Sequence, residues 1–414
     1  MQYNNKFERL LNKKIIIGID IAKHEHYASI TEKETGRILK TGIKMTNKEK
    51  DFKKLINLAG PYKKEEILMG MEPTGLYWKV PNNWFVSEGY ETVIVNPYHV
   101  KLSKEIHNNL NNKNDKKDSQ VIAELIRNGK FLDVLTIEEN YDELRQLTLT
   151  RDTLVKDLTR EKIRLITLLD EFLPEYANCF REPARVTSLS LLKKYLLSGL
   201  SNNKNKKQKA NLIFTISRGA IGREKAKNIV ETLSKSIGIK SGVNSAEYRL
   251  KLIIEKITYL VKKIGEIEAE MKVYLYATSE AKYMLSMPGI GVVTLSGFLG
   301  CTGCLEKFSH PMQLQKFAGM LPSQQKSGKF EGLTKLSKRG NGKLRNVMHR
   351  IAISLVSSNF EFKKLYKYKL EELNKIRMVG LTAIAAKALR ILYRLGRDKK
   401  FYEKKFVLDS IVKF

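Results

Sequence analysis

Four carboxylates in a strongly basic chain occupy positions at which metal chemistry could take place. Asp20 follows the apolar run "IIIGI", and Glu72 follows the apolar run "ILMGM". Asp115 and Asp118 stand three residues apart in "NDKKD", where a helix is expected to begin and where acids suit the helix dipole. An ionised carboxylate beside a buried strand is costly unless it is paired or bound to a metal. Four such side chains converging near a sheet edge would form a site for one or two Mg²⁺ ions, which can orient the attacking and leaving oxygens of a phosphodiester.

Each of these acids also has an ordinary structural explanation. An aspartate at a strand end is often structural, and Asp118 alone could be a helix N-cap with Asp115 a solvated loop residue. The ordered set of an Asp, a Glu and an Asp-x-x-Asp pair carries more weight than any member of it. The neighbouring lysines Lys113, Lys116 and Lys117 would then face nucleic-acid phosphates while the aspartates hold metal.

The charge balance favours a polyanionic partner. The 414 residues include 75 Lys and Arg against 44 Asp and Glu, a formal net charge of +31. Self-repulsion of this size is offset by nucleic acid, whereas a membrane-surface protein would need a basic amphipathic helix or a lipidation signal near a terminus, and neither is visible there. The sequence lacks a run of eighteen apolar residues and its start lacks an apolar signal segment, so we expect a cytoplasmic, nucleoid-associated protein without membrane contact.

The elements that would position the acids form an α/β domain over residues 1–135. "KIIIGIDIA", "EEILMGME" and "ETVIVNP" predict strands, and "HYASITEKETGRILKTGIKMT" predicts two antiparallel strands around a turn. Helical stretches are expected over residues 76–89 and onward to about Gly129. Hairpin strands first and strand–helix alternation afterwards predict a mixed sheet with helices packed on it.

Residues 136–280 predict a helical middle. Apolar residues recur at three- and four-residue spacing over 141–173 and again over 246–275, which is typical of two long helices paired as an antiparallel coiled coil or across a dimer. A less regular insert lies between them at about 175–245. We expect its polar tract "SNNKNKKQKA", residues 201–210, to be an exposed loop or a flexible basic contact.

Residues 281–414 predict a mostly α-helical domain. "LSMPGIGVVTLSGFLG" places a Pro-Gly-x-Gly turn between two helical stretches, which is typical of a helix-hairpin-helix that meets a phosphate or of a plain helical hairpin. A glycine- and lysine-rich loop then runs into a helix, and a last helix spans residues 381–396. The three cysteines Cys179, Cys301 and Cys304 fit a reducing compartment, and "CTGC" is expected to hold buried thiols rather than zinc.

The sequence resembles the DEDD transposases of bacterial insertion sequences, a family that includes pilin-gene invertases and bridge-RNA-guided recombinases. The matching residues are Asp20 in "GIDIAKHEHY", Glu72 in "MEPTGLYW", and Asp115 and Asp118 in "KNDKKDSQVIAEL". "LSMPGIGVVTLSGFL", "FAGMLPSQQKSG" and "KLSKRGNGKLRNVM" look like the second conserved domain of that family. The resemblance implies that the first domain is RuvC-like, of ribonuclease H type, and that the four acids form its catalytic, metal-binding tetrad.

The resemblance also implies a catalytic serine. Ser327 stands five residues beyond the proline of "AGMLP", in a loop where Lys326 and Lys329 could offset charge in the transition state. Ser323 and Ser337 are rival hydroxyls. A further basic group is expected to contact phosphates, or else to form a solvated charged face; it comprises Lys335, Lys338, Arg339, Lys343 and Arg345.

These features predict a site-specific DNA transposase or recombinase in which Ser327 attacks DNA and forms a covalent phosphoserine. The resemblance further implies a structured non-coding guide RNA and a homodimer or homotetramer joined partly through the helical middle. One rival is a Mg²⁺-dependent RuvC-like junction-resolving nuclease that uses water and forms no covalent intermediate. A second rival is a non-catalytic nucleic-acid-binding protein whose acids serve only folding.

Overall fold

The computed structural model describes residues 8–73, 75–107, 115–134, 139–323, 326–327, 330–331, 335–404 and 407. Within these ranges, the side chains of residues 105–107, 115–116, 133, 323, 326–327, 330–331 and 335 lie outside the description. The chain divides into two compact units, Met1–Thr136 and Ile137–Phe414. No helix in the described ranges is long and apolar enough to cross a membrane.

The N-terminal unit is built on a mixed, six-stranded sheet. Its strands are β1 (Ile15–Asp20), β2 (His26–Glu32), β3 (Ile38–Met45), β4 (Ile67–Met71), β5 (Glu91–Ile94) and β6 (Leu132–Asp133). They lie in the order β3-β2-β1-β4-β5-β6, with β1 antiparallel to β2 and parallel to β4. The predicted α/β domain with a mixed sheet is therefore confirmed.

Helices cover both faces of this sheet. They are α1 (Glu49–Ala59), α2 (Lys79–Ser87), α3 (Pro97–His107) and α4 (Asp115–Arg127), with a 3₁₀ turn at Lys64–Glu66. On one face, Ile17 and Ile19 pack with Phe52 of α1 and Phe85 of α2. On the other face, the alternate residues of β1 and β4 pack against α4, because successive side chains of a strand point to opposite faces.

Two glycines let α4 approach the sheet closely. A Cβ atom built on Gly18 would lie 2.2 Å from the backbone oxygen of Ser119 and 2.5 Å from the backbone nitrogen of Ala123. A Cβ atom on Gly70, in the neighbouring strand, would lie 2.2 Å from Cδ1 of Ile126. Backbone of the helix thus rests directly on the backbone of β1, a contact that any larger residue would prevent.

Two helices of 34 residues dominate the second unit, α5 (Glu139–Phe172) and, after the insert, α10 (Val243–Tyr276). Arg151 Nε donates to Glu268 Oε1 at 2.7 Å, and Arg249 Nη2 donates to Glu171 Oε2 at 3.5 Å. These two pairs show that the helices run antiparallel within one chain, which is one of the two arrangements that their periodicity allows.

The insert between the long helices is more regular than expected. Its helices are α6 (Tyr176–Cys179), α7 (Val186–Leu200), α8 (Lys206–Ile216) and α9 (Arg223–Ser234). They share one hydrophobic cluster with the adjacent ends of α5 and α10, which includes Tyr176, Leu191 and Ile213. The expectation of a loop over residues 201–210 is wrong from Lys206 onward. Lys209 is 1% exposed and donates to the Asn202 carbonyl at 3.0 Å, so the tract is anchored by one of its own lysines.

The other ends of α5 and α10 join a second cluster with the C-terminal helices. These are α11 (Ala281–Leu285), α12 (Val292–Thr302), α13 (Pro311–Phe317), α14 (Gly342–Ser358), α15 (Phe360–Glu371) and α16 (Arg377–Arg397), with a 3₁₀ turn at Leu305–Lys307. Four two-residue strands lie between α13 and α14: β7 (Pro322–Ser323), β8 (Lys326–Ser327), β9 (Phe330–Glu331) and β10 (Lys335–Leu336). The predominantly helical C-terminal region is confirmed.

The Pro-Gly-x-Gly turn does join two helices, α11 and α12, and it packs on α14. Ser354 Oγ donates to the Gly289 carbonyl at 2.7 Å, and Asn359 Nδ2 donates to the Pro288 carbonyl at 3.1 Å. The first half of the turn therefore serves packing within the unit. Cys301 and Cys304 are free thiols beside the same hydrophobic cluster, and burial raises the pKa of Cys301.

We expect Gly18→Ala to loosen α4, because the added methyl group would overlap the helix backbone. Overpacking of this kind costs about 1–3 kcal/mol. Hydrogen exchange of the α4 amides should accelerate, and the melting temperature of the N-terminal unit should fall.

Gly265→Ala is the matched control, because a Cβ at this exposed helical position meets nothing within 4 Å. It should stabilise α10 by up to about 1 kcal/mol. Equal effects of the two substitutions would contradict the close helix–sheet contact.

Candidate functional site

Asp20 and Glu72 lie side by side at the carboxyl ends of two parallel strands. Ile19 of β1 pairs with Met71 of β4, so the next residue of each chain segment is one of the two acids. Neighbouring strands are about 4.8 Å apart, which sets the separation of the two backbones. Both acids lie two residues beyond the glycines that α4 covers, and so on the same face of the sheet. Both are half-buried.

Helix α4 brings Asp118 to this face. The helix begins at Asp115, so Asp118 lies in its first turn and the N-cap interpretation of Asp118 is wrong. Ser119, the next residue, is fully buried and its Oγ lies 2.6 Å from Ser29 Oγ of β2. Ser29 is the residue paired with Gly18, so this hydrogen bond fixes the first turn of α4 above the glycine contact.

A second polar contact ties the same turn to the sheet. Gln120 Nε2 donates to Thr41 Oγ1 of β3 at 2.7 Å, and Thr41 Oγ1 in turn lies 3.1 Å from Ser29 Oγ. Two successive residues after Asp118 are thus hydrogen-bonded to two different strands. These two contacts hold the helix backbone directly after Asp118.

The carboxylates of Glu72 and Asp118 are close enough to interact electrostatically. Burial raises the pKa of Glu72, the neighbouring Asp118 carboxylate raises it further, and the Lys104 ammonium opposes both effects. Lys104, on α3, lies 2.6 Å from Asp118 Oδ2. The Lys104 ammonium thus forms an ion pair with Asp118, at a half-buried place where two carboxylates lie near each other.

The donor set suits a hard divalent cation, since it consists of carboxylate oxygens at the end of a sheet. Within the described part of the chain, however, no three Asp, Glu, His or Cys side chains form a group that could hold a metal ion. Three of the four predicted ligands, Asp20, Glu72 and Asp118, have described side chains. Of Asp115 only the backbone is described, and it lies one turn before Asp118 on the same side of the helix.

The residues that place these acids were not predicted from the sequence. The signal was present in the pair "GID" and "GME", in which each strand carries a glycine two residues before its acid. Such spacing puts the glycine and the acid on one face of the sheet, so a helix can pack on the glycine and leave the acid beyond it accessible. The roles of Ser29, Ser119 and Lys104 carry no comparable sequence pattern, because each depends on a partner far along the chain.

The two ends of the loop that carries Ser327 are in backbone contact with each other, and we call these contacting ends the loop base. Gly319 and Gly340 are in backbone contact, since a Cβ on Gly340 would lie 2.5 Å from the Gly319 nitrogen. The Asn341 amide donates to the Phe317 carbonyl at 2.7 Å, and the Ser337 amide donates to the Leu321 carbonyl at 3.0 Å. These contacts explain why "AG" and "RGNG" flank the loop.

Within the loop, Ser327 pairs with Phe330 across β8 and β9, and Ser323 pairs with Lys335 across β7 and β10. The side chains of Ser323 and Ser327 lie outside the described residues. The predicted role of Ser327 therefore stays a prediction.

The predicted phosphate contacts fall into three groups. Lys113 and Lys329 lie outside the described residues, and of Lys116, Lys326 and Lys335 only the backbone is described. Lys117, Lys338, Arg339 and Lys343 are exposed. Arg345 is half-buried and donates to the carbonyls of Ala318 at 3.0 Å and Lys338 at 3.5 Å, so it braces the loop base.

Comparison with known proteins assigns both ends of the chain to one kind of protein. Residues 17–174 match the DEDD_Tnp_IS110 transposase model, and residues 281–367 match the model of the transposase IS116/IS110/IS902 family; together they span more than half of the chain. The first match contains all four acids, and the second contains Ser327.

Named relatives align over most of their length. The transposase for insertion sequence element IS1111A of Coxiella burnetii is 26% identical, over 78% of this chain and 76% of its own. The insertion element IS116 protein of Streptomyces clavuligerus is 23% identical, over 94% and 96%. The pilin gene-inverting protein of Moraxella lacunata is 22% identical, over 95% and 98%.

We expect Glu72→Gln to stabilise the N-terminal unit at neutral pH in the presence of EDTA. Because the pKa of Glu72 is raised in the folded state, its ionised form costs stability above that pKa and costs nothing below the usual glutamate pKa of about 4.3. A single stabilising substitution typically contributes about 0.5–2 kcal/mol. The gain in melting temperature should disappear as the pH falls through this window.

Glu66→Gln is the control with the opposite sign. Hydrogen bonds from Lys14 and from the Lys63 amide lower the pKa of Glu66. This variant should therefore be less stable than the wild-type protein at neutral pH, and the difference should vanish in acid. If Glu72→Gln instead lost stability at neutral pH, as Glu66→Gln is expected to, the ionised Glu72 carboxylate would be stabilising the folded state.

Proposed function

We propose that this chain, which belongs to the IS116/IS110/IS902 transposase family, joins DNA strands with two groups of its own residues: Asp20, Glu72, Asp115 and Asp118 as a Mg²⁺ site, and Ser327 as the nucleophile. Family membership makes it a DNA transposase or recombinase. The observation that carries the proposal is the register of β1 and β4, which puts Asp20 beside Glu72 on the face to which α4 brings Asp118.

The N-terminal unit supports the further proposal of a RuvC-like, ribonuclease H-type domain. Three antiparallel strands are followed by two strands parallel to the first, and the acids stand at the ends of β1 and β4 and in the first turn of α4. When bound there, one or two Mg²⁺ ions would stabilise charge on the phosphodiester and favour an attacking alkoxide. The carboxylates themselves would hold and orient the metal. The negative charge of Glu72 is costly in the folded protein, and a bound cation would lower that cost.

Ser327 would form the covalent intermediate. Its Oγ bonds to phosphorus while the phosphorus–oxygen bond to the departing strand breaks, and the departing oxygen takes up a proton. The hydroxyl of a new strand end then attacks the same phosphorus, and Ser327 recovers its proton. One phosphodiester bond is exchanged for another with no external energy source, as strand transfer requires.

The basic residues beside the loop support the binding of a polyanion. Lys338 and Arg339 are exposed at the loop base, and Lys343 is exposed in the first turn of α14. We further propose that a structured RNA guides the target and donor DNA, and that the protein acts as a homodimer or homotetramer. The hydrolytic alternative, a junction-resolving nuclease that uses water, is favoured by no comparison and predicts cleavage without an adduct.

The test is to trap the protein–DNA adduct. The full chain would be expressed with its own flanking DNA, denatured rapidly, digested with protease and nuclease, and searched by mass spectrometry for a nucleotide-bearing peptide. We expect the adduct on Ser327, its loss in Ser327→Ala, and its retention in Ser323→Ala, a serine of the same loop. Asp20→Asn should reduce it by more than the roughly 10–100-fold that follows loss of outer-shell metal contacts.

Strand exchange by the Ser327→Ala variant would overturn the nucleophile assignment. Cleavage by wild-type protein with no adduct on any serine would favour the hydrolytic alternative instead.

A further inference from the structure

A groove on the second unit lies outside the predicted site and outside most of the family match. It has a volume of about 760 Å³ and is formed by residues 309–312, at the start of α13, and by one face of α16. Helix α16 begins at Arg377, beyond the residues that either family model matches. The lining includes four basic side chains, Lys387, Arg390, Arg394 and Arg397, and one acid, Asp398.

The spacing of these cations forms a row along the helix. Positions 387, 390, 394 and 397 are separated by three, four and three residues, so they repeat with the period of an α-helix and share one face. From the first to the last, the backbone rises about 15 Å at 1.5 Å per residue. Each strand of a duplex carries one phosphate per 3.4 Å or so of axis, so a row of this length can meet several consecutive phosphates.

One end of the row is fixed in place. Tyr393 Oη donates to the Phe308 carbonyl at 2.6 Å, and Arg397 Nη1 donates both to that carbonyl and to Tyr393 Oη, the latter at 2.9 Å. Tyr393 is 5% exposed, so the anchor of Arg397 is itself buried. An arginine held in this way loses little conformational entropy when it binds an anion.

Two of the four cations are not neutralised by a described acid. Among the described residues, Arg390 and Arg394 take part in no ion pair, and both are exposed. Behind them, burial lowers the pKa of Lys369 on α15, and repulsion by Arg390 and Lys375 lowers it further. Clustered positive charge that the protein does not neutralise is the electrostatic footprint of an anionic partner.

We infer that this groove binds the phosphodiester backbone of a nucleic acid, DNA or RNA, through residues other than those of the acidic site. A membrane surface does not fit, because the opposite face of α16 is buried in the hydrophobic cluster through Ile384, Leu389 and Leu392 and has no apolar stripe to insert. The partner class rests on the proposed function, but the groove does not depend on the strand-transfer chemistry.

The test compares salt-dependent binding of the full chain and of Arg390→Gln/Arg394→Gln, in EDTA so that no cleavage occurs. Fluorescence anisotropy would be measured over a KCl series with a random 30-base-pair DNA duplex, an RNA hairpin and poly-glutamate. We expect the slope of log K against log salt to fall by about 2 for DNA or for RNA, which identifies the nucleic acid that the groove prefers.

Arg160→Gln/Arg249→Gln is the matched control. It removes the same charge from exposed arginines of the same unit that already face Asp157 and Glu171. It should leave the slope nearly unchanged. An unchanged slope in the groove variant, an equal fall in the control, or equally tight binding of poly-glutamate would overturn the inference.

A footprint on the wild-type chain keeps the test independent of variant folding. Phenylglyoxal modification followed by mass spectrometry should show Arg390 and Arg394 protected by bound nucleic acid, and Arg160 and Arg249 unprotected. Failure of strand transfer with an intact footprint would count against the proposed function alone, whereas strand transfer without the footprint would count against the groove alone.

Discussion

The contact between α4 and the two central strands is the constraint on which the acidic site depends. The helix backbone rests on Gly18 and the Ile126 side chain fills the space above Gly70, so the helix lies closer than ordinary side chains would allow. Two residues further along each strand, Asp20 and Glu72 stand on the same face. The Ser29–Ser119 hydrogen bond then sets the first turn of the helix, and with it Asp118. Packing and polar contacts thus bring the Asp118 carboxylate near that of Glu72, although the two charges repel each other.

This assembly has an electrostatic cost that the local structure only partly relieves. Glu72 is half-buried beside another carboxylate, and its pKa is raised because its ionised form is unfavourable there. Lys104 offsets it by binding Asp118, in the way a bound cation would. In a chain of net charge +31, acids could easily have been paired with arginine, as Glu268 is with Arg151. Glu72 lies instead beside the carboxylate of Asp118, and perturbed pKa values of this kind cluster at functional sites.

Much of the fold could be predicted from sequence, because its strongest elements have clear periodicity. The sheet strands are short apolar runs bounded by turns, and α5, α10 and α16 show long apolar stripes. The insert was harder to predict, since α6 to α9 bury their residues only jointly, with the ends of the long helices. Asp118 was open to interpretation as a cap because the start of α4 lies in a run of polar residues with several possible first positions.

The sequence predicted which acidic residues belong to the candidate site, but not the contacts that bring them together. Asp20 and Glu72 were found from the ends of apolar runs, and the strand register now brings them together. The buried Ser29–Ser119 contact joins residues 90 positions apart, and the Lys104–Asp118 pair joins two helices; neither leaves a local pattern. The basic row of α16 is spread over eleven residues with apolar residues between its members, so it reads in sequence as one side of an amphipathic helix.

Locating a bound metal ion would test most directly whether Asp20, Glu72 and Asp118 form a metal site. A crystal of the full chain soaked in Mn²⁺, with data collected at the manganese absorption edge, would show the ion as a peak in the anomalous difference map. If these acids form a metal site, the map will show a peak bounded by the carboxylates of Asp20, Glu72 and Asp118, with Lys104 displaced from Asp118, and crystals of Asp20→Asn will show no such peak. A map without a peak there, or with Lys104 still bound to Asp118 at saturating Mn²⁺, would contradict the claim that these acids form a metal site.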